Sequence, residues 1–333
     1  MDRRDFLTTG ALFTTSLYMN ACGSNSDSVE AIQEKPKGAI TLYYEFNIAK
    51  PSIAKMLNVV NAYLSILDSK KGFLSLSLKN MIGESTMVKN FTSDLKGVLK
   101  SAYIDSAKMG KRPHRYTLFI RFDNYDNMTL SSTKSWFTET IEPLLFVYNK
   151  TGKTSLKFDF YQGIYKTVAG GDANGIYKTE SEILKFLTHQ QDVANLEYQN
   201  LYSDGSDNGV TMTVANHVSI SHIHTNMVNE KALGLLKIAQ QTYQPKENTP
   251  DGDAGSLNNN NYKKALTTEI LQNAYITGNK RDYLFHGVWR SIADHENSHI
   301  DARFMKASQP LGIYIVDGPV EPFYQTAIVH NKN

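Results

Sequence analysis

Strand and helix patterns run twice through this chain in one order, which predicts an α+β protein built from two tandem repeats. Three observations carry that expectation. From Ala39 onward, apolar stretches of period two alternate with stretches at helical spacing. The order β-α-β-β-α-β that precedes Gly170 returns after Asn208. The final strands of the two halves also share letters, Phe160-Tyr161-Gln162 and Phe323-Tyr324-Gln325, each followed by a small residue and an aliphatic.

The elements follow in chain order. Ile40 to Phe46 is a strand, and Pro51 opens a helix to about Asp68 in which Ile53, Met56, Leu57, Val60, Leu64 and Leu67 form one stripe. Gly72 to Leu78 alternates as a half-buried strand does. A helical stretch from Thr86 to Lys108, a strand from Arg115 to Asp123, a helix from Ser131 to Val147 and a strand from Ser155 to Lys166 complete the first repeat. In the second, Val210 to His224 is a strand, Glu230 to Thr242 a helix, Leu266 to Ile276 and Tyr283 to Arg290 strands. Asn297 to Ala307 is a helix and Gly312 to Val329 the last strand. This is the ferredoxin-like arrangement, with one extra helix. Two such sheets can join faces and edges, so the expectation is tandem ferredoxin-like repeats forming a pseudo-symmetric α+β barrel. The boundaries are a signal over 1–22, a polar tether over 23–38, repeat one over 39–169, a connector over 170–208 with a helix at Ser181 to Leu196, and repeat two over 209–333. Pro245 to Asn261, almost free of apolar residues, is a surface loop.

Composition removes several function classes. A net charge of +2 gives no reason for nucleic-acid binding, and 41% hydrophobic with 20% charged residues is ordinary for a globular protein. The chain has neither a Gly-rich phosphate loop nor a Ser-His-Asp context, so nucleotide use and serine hydrolysis lack support.

The N-terminus reads as an export signal. Arg3-Arg4-Asp5-Phe6-Leu7 fits the twin-arginine pattern, and Thr8 to Met19 is apolar but too short to span a bilayer. Met19-Asn20-Ala21-Cys22 approximates a lipoprotein cleavage box, and Cys22 is the sole cysteine. The expected location is the periplasmic side of a bacterial membrane, lipid-anchored through Cys22. The twin-arginine route carries folded, often cofactor-loaded proteins.

Chemistry concentrates near the C-terminus. In Asp294-His295-Glu296-Asn297-Ser298-His299 the two histidines stand four apart, on one face of a helix. Glu321 follows in Gly318-Pro319-Val320-Glu321-Pro322. Two His and one carboxylate on one side of a metal, other positions open, is the arrangement of non-haem Fe(II) oxygenases. With the repeats aligned, His295, His299 and Glu321 face Met128, Ser132 and Phe158, so one copy keeps the ligand set and the other only the fold. His222 and His224 share one strand face and His286 lies on the strand feeding the ligand helix. All three are candidate acid–base groups or partners of the ligands. Asp294 fits a helix cap and Glu296 a solvated charge.

Trp289, Asp294-His295-Glu296, His299 and Gly318-Pro319-x-Glu321-Pro322-x-Tyr324 together resemble the iron-binding half of the sulfur oxygenase reductase family, of the dimeric α+β barrel superfamily. The resemblance implies a mononuclear non-haem iron on His295, His299 and Glu321. It is sharp over Tyr283 to Tyr324 and topological elsewhere. That family also uses a cysteine beside its iron, and here Cys22 stands outside the fold. The resemblance therefore bears on the fold and the metal, and less on sulfur disproportionation. Three functions remain open: an exported oxidoreductase acting on a small or inorganic substrate, a lipoprotein binding metal or haem without turnover, and a structural lipoprotein.

Overall fold

The computed structural model describes residues 35–84, 113–148, 157–158, 160–172, 175–177, 179–188, 212–221, 267–276, 280–289, 295 and 308–332. Repeat one opens with β1 (Ile40–Ile48), whose nine residues are all buried. Such a strand has no solvent face, which its near-continuous apolar run already required. A single turn over Lys50–Ser52 leads into α1 (Ile53–Asp68), which buries Met56, Val60, Tyr63 and Leu67. The chain reverses at Gly72, where a φ of 73° suits glycine. It returns as β2 (Phe73–Glu84). Then β3 (His114–Phe122) precedes a broken helical segment, α2 (Tyr125–Leu130) and α3 (Thr133–Trp136). Short strands β4 (Val147–Tyr148) and β5 (Lys157–Phe158) pair with each other, and β6 (Phe160–Asp172) is the fourth main strand.

Between the repeats lie β7 (Gly175–Tyr177) and α4 (Glu180–Thr188). The connector thus differs from the expected one at its start. Gly170 and Gly171 extend β6 and form a hairpin with β7 before the helix begins. Repeat two contributes β8 (Met212–Ser221), β9 (Thr267–Asn273), β10 (Lys280–Trp289), β11 (Ile315–Val320) and β12 (Pro322–Asn331). The single last strand expected over Gly312 to Val329 is two, because the chain breaks at Glu321 between β11, which pairs with β8, and β12. The helices expected over Thr86 to Lys108 and Glu230 to Thr242, the loop Pro245 to Asn261 and residues 1–34 lie outside the described residues. So does most of the helix expected from Asn297 to Ala307, although 308–312 is helical.

Strand pairing closes a ring. Its order is β1-β3-β2-β12-β8-β10-β9-β6, and β6 returns to β1. Each repeat supplies the ferredoxin-like order fourth-first-third-second, and neighbours around the ring are antiparallel. The repeats meet at two seams, β2 with β12 (Met81 beside Tyr324) and β6 with β9 (Tyr165 beside Asn273).

Alternation along the strands then divides the side chains. Leu42, Tyr44, Phe46, Leu76, Leu78, Leu118, Ile120 and Phe122 join Met56, Val60, Tyr63 and Leu67 of α1 in one core on the helix-covered face. Tyr43, Met81, Phe119, Tyr165, Leu271, Leu284 and Tyr324 meet on the other face, inside the barrel. One barrel end is covered by α4, whose Ile183 and Leu187 pack with Ala39 and Val288.

Candidate functional site

Of the expected metal ligands, His295 lies on the face of repeat two that Trp289 and Phe323 line. Trp289 ends β10 and Phe323 begins β12, and the helical residue His295 stands edge-on to both rings, at 5.1 and 5.2 Å between centroids. His295 and Glu321 are each only 4% exposed. Glu321 lies two residues before Phe323, at the break between β11 and β12. In repeat one Met128 occupies the aligned place, buried in the apolar core. Phe160 packs on Phe137 of the first repeat's helical segment, as Phe323 packs on His295. His299 lies outside the described residues. Among those described, no group of three His, Cys, Asp or Glu gathers around one point.

His286 faces the other way. It is three residues before Trp289 on β10, an odd spacing, so alternation turns it into the barrel rather than toward His295. The expectation that it shares a cavity with the metal ligands therefore gives way to strand geometry. His222 and His224 lie outside the described residues.

Around His286 the barrel holds a buried polar layer. Glu269 of β9 accepts from Arg121 Nη2 of β3 at 2.6 Å and from Thr167 Oγ1 of β6 at 2.6 Å. His286 Nδ1 lies 3.5 Å from the same Glu269 oxygen that Arg121 holds. Arg121 and Glu269 are both 2% exposed, and their pairing joins repeat one to repeat two across the lumen. The Phe119 ring lies 4.8 Å from the imidazole and 5.2 Å from the guanidinium carbon. Lys79 of β2 is buried as well and donates to Thr326 Oγ1 at 3.1 Å.

These surroundings set the protonation states. Burial opposes ionisation of Glu269, but the Arg121 charge and the His286 hydrogen bond outweigh it, holding the carboxyl well below its usual range. Burial also lowers the His286 pKa. The Glu269 hydrogen bond and charge pull against that, and Lys79 and Arg121 reinforce it. A neutral imidazole beside an ionised carboxylate keeps its proton on Nδ1 and leaves Nε2 as an acceptor.

Toward the other end of the barrel the lining turns phenolic. Tyr161 and Tyr165 share a hydrogen bond of 2.7 Å, Asn273 donates to Tyr161 at 3.2 Å, and Tyr324 donates to Glu45 at 2.8 Å. Gly163 makes the first contact possible, since a Cβ there would run into the Tyr165 ring and the Tyr161 hydroxyl. Burial pushes the pKa values of both Tyr161 and Tyr165 well above the ordinary tyrosine range.

Sequence reasoning reached His286 but missed Arg121 and Glu269. Their signal was present: a charge inside the apolar run Leu118-Phe119-Ile120-Arg121-Phe122, and another inside Thr267-Thr268-Glu269-Ile270-Leu271. A lone charge at an inward position of a buried strand calls for a partner across the barrel.

Comparison with known proteins agrees with this architecture. Residues 39–127 match the ABM-like domain family, which belongs to the dimeric α+β barrel superfamily, and residues 168–327 match the CT0912-like C-terminal domain family. No curated protein matches the chain. Among solved structures, a candidate monooxygenase of Fusobacterium nucleatum is similar at TM-score 0.47 and 10% identity, over 89% of this chain and 95% of that one. An anthrone oxidase-like protein gives 0.46 and 9%, over 91% and 96%. A dye-decolorizing protein of V. cholerae gives 0.42 and 9%, over 88% and 95%.

Proposed function

We propose that this protein is an exported, lipid-anchored oxidoreductase of the oxygenase type, with a mononuclear non-haem iron held by His295, His299 and Glu321. The reading retains the relationship to sulfur oxygenase reductases for the metal half, without their cysteine-dependent chemistry. The ABM-like match of the first repeat supports an oxygenase-type barrel. The observation that carries the reading is that His295, edge-on to Phe323, and Glu321, two residues before Phe323 in the chain, are both buried. A buried imidazole and a buried carboxylate fit the ligand types that Fe(II) takes.

Iron in such a set would supply open positions for O₂ or a small inorganic substrate. The chain's own part is to hold His295 edge-on between Trp289 and Phe323, which fixes its ring and keeps bulk water from it.

Anaerobic purification of the full chain from membranes, followed by elemental analysis, tests this. One iron per chain is expected, in protein that stays with membranes through high-salt washing because of acyl chains on Cys22. Glu321→Ala and His295→Ala should lose iron while keeping the circular dichroism of the wild type. Iron-free wild type, or Glu321→Ala with full iron content, overturns the assignment.

A further inference from the structure

Four polar atoms in the layer around Arg121 are buried without a hydrogen-bond partner: Arg121 Nε, His286 Nε2, Thr41 Oγ1 and Ser75 Oγ. Register brings three of them together, since Arg121 pairs with Thr41 on β1 and with Ser75 on β2. The fourth is tied to the same place through Glu269, whose Oε2 contacts both Arg121 and His286. Each is on an inward position, in residues at most 5% exposed. Buried polar atoms are almost always hydrogen-bonded, so four in one layer mark a place where something else completes the bonding.

The polarity of the four atoms says what. Arg121 Nε is a donor only, and the Thr41 and Ser75 hydroxyls can donate. His286 Nε2 is an acceptor while Nδ1–H faces Glu269. Three donors and one acceptor complement a carboxyl group, which carries one O–H and further acceptor lone pairs. The rings of Phe119, Tyr43 and Tyr165 in the adjoining layer suit an apolar or aromatic remainder. We infer that the barrel interior is a second site, separate from the metal ligands, which takes a small monocarboxylic acid with its carboxyl between Arg121 and His286.

Binding moves one proton. The ligand enters as a carboxylate, a buffer acid gives up its proton, an N–H bond forms at His286 Nε2, and the carboxylate is held between imidazolium and guanidinium. Groups facing His286 are Glu269 from β9, Arg121 from β3 and Lys79 from β2. Glu269 stabilises the imidazolium through Nδ1, and the arriving carboxylate adds a second negative charge, enough to offset the two cations. At neutral pH the free ligand is already a carboxylate, so the proton comes from buffer and complex formation takes up one proton.

Benzoate is the probe, titrated calorimetrically into the full-length protein in two buffers of different ionisation enthalpy. Uptake of one proton per benzoate is expected. Arg121→Lys keeps a cation for Glu269 but removes Nε–H, and should weaken benzoate by about tenfold, the worth of one charged hydrogen bond. His286→Gln should abolish proton uptake even if weak binding persists. Both variants should melt cooperatively and retain the iron content of the wild type, which separates this site from the metal reading. Absence of benzoate binding by wild type overturns the proposal and leaves ordered water as the completion of the layer. Binding without proton uptake, or binding that neither substitution alters, overturns it equally.

Discussion

At the scale of single residues, the barrel's charged layer links stability to pH. The His286 pKa is lowered from 6.5 by burial, so the folded state holds neutral imidazole where the unfolded chain takes up a proton. That contribution is present above about pH 6.5 and is lost as pH falls below it. The carboxyl of Glu269 is also depressed, from 4.5, because Arg121 and His286 overcome its burial, so its contribution is lost in turn below about pH 4.5. Urea unfolding from about pH 8 to about pH 2 should therefore show stability falling in two stages as protons accumulate on the unfolded chain. His286→Gln should remove the upper stage and keep the lower one. A variant whose profile matches the wild type would mean that His286 does not stay neutral in the fold. The layer was half legible in the sequence. His286 stood out because histidine is rare and chemically conspicuous, whereas Arg121 and Glu269 each read as one charge in one strand. Only the ring closure brings β3 opposite β9, and nothing local to either strand encodes that meeting.

Elements were legible where periodicity was strong and their ends where turn chemistry was plain. Helix α1 was expected over Pro51 to Asp68 and spans Ile53–Asp68, with Met56, Val60 and Leu67 buried as the stripe requires. The exception is Tyr63, which takes the central place by stacking on Trp136 at 3.9 Å and bonding to Thr133 Oγ1 at 3.0 Å, while Leu64 packs at the margin. The helix expected from Ser131 instead begins at Tyr125. There the Asn124 side chain accepts from the Asn127 N–H at 2.8 Å, a cap that outranks the later serines. Ser132, at φ 59°, then interrupts it. Leu67→Ala tests how far α1 depends on this face. Removing a fully buried leucine should cost about 2–5 kcal/mol, read as a lower urea midpoint with unchanged slope. A loss below about 0.5 kcal/mol would mean that the helix does not rest on the sheet as described.

Over the whole molecule, the two repeats complete each other. Repeat one alone would expose β2 and β6 as bare edges, since their partners β12 and β9 come from repeat two. A fragment of residues 39–169 should therefore pair those edges with a second copy and elute as a dimer, the symmetric form of the barrel. Light scattering on the purified fragment decides this, and a stable monomer would show that the seams are dispensable. The internal duplication was visible in the sequence through Phe160-Tyr161-Gln162 and Phe323-Tyr324-Gln325. The seam registers were not, because each pairs strands from different repeats, far apart in the chain.

The seam between β2 and β12 also sets a schedule. Ser75 pairs with Asn331 and Leu78 with Ile328, so a strand made early must wait for almost the last residues before its edge is covered. Contacts of such long range slow folding and leave a sticky intermediate while they are awaited. A route that threads an extended chain across a membrane would repeat that exposure on the far side, away from cytoplasmic chaperones. Crossing as a finished ring, the route proposed above, would meet the hazard once and leave it behind.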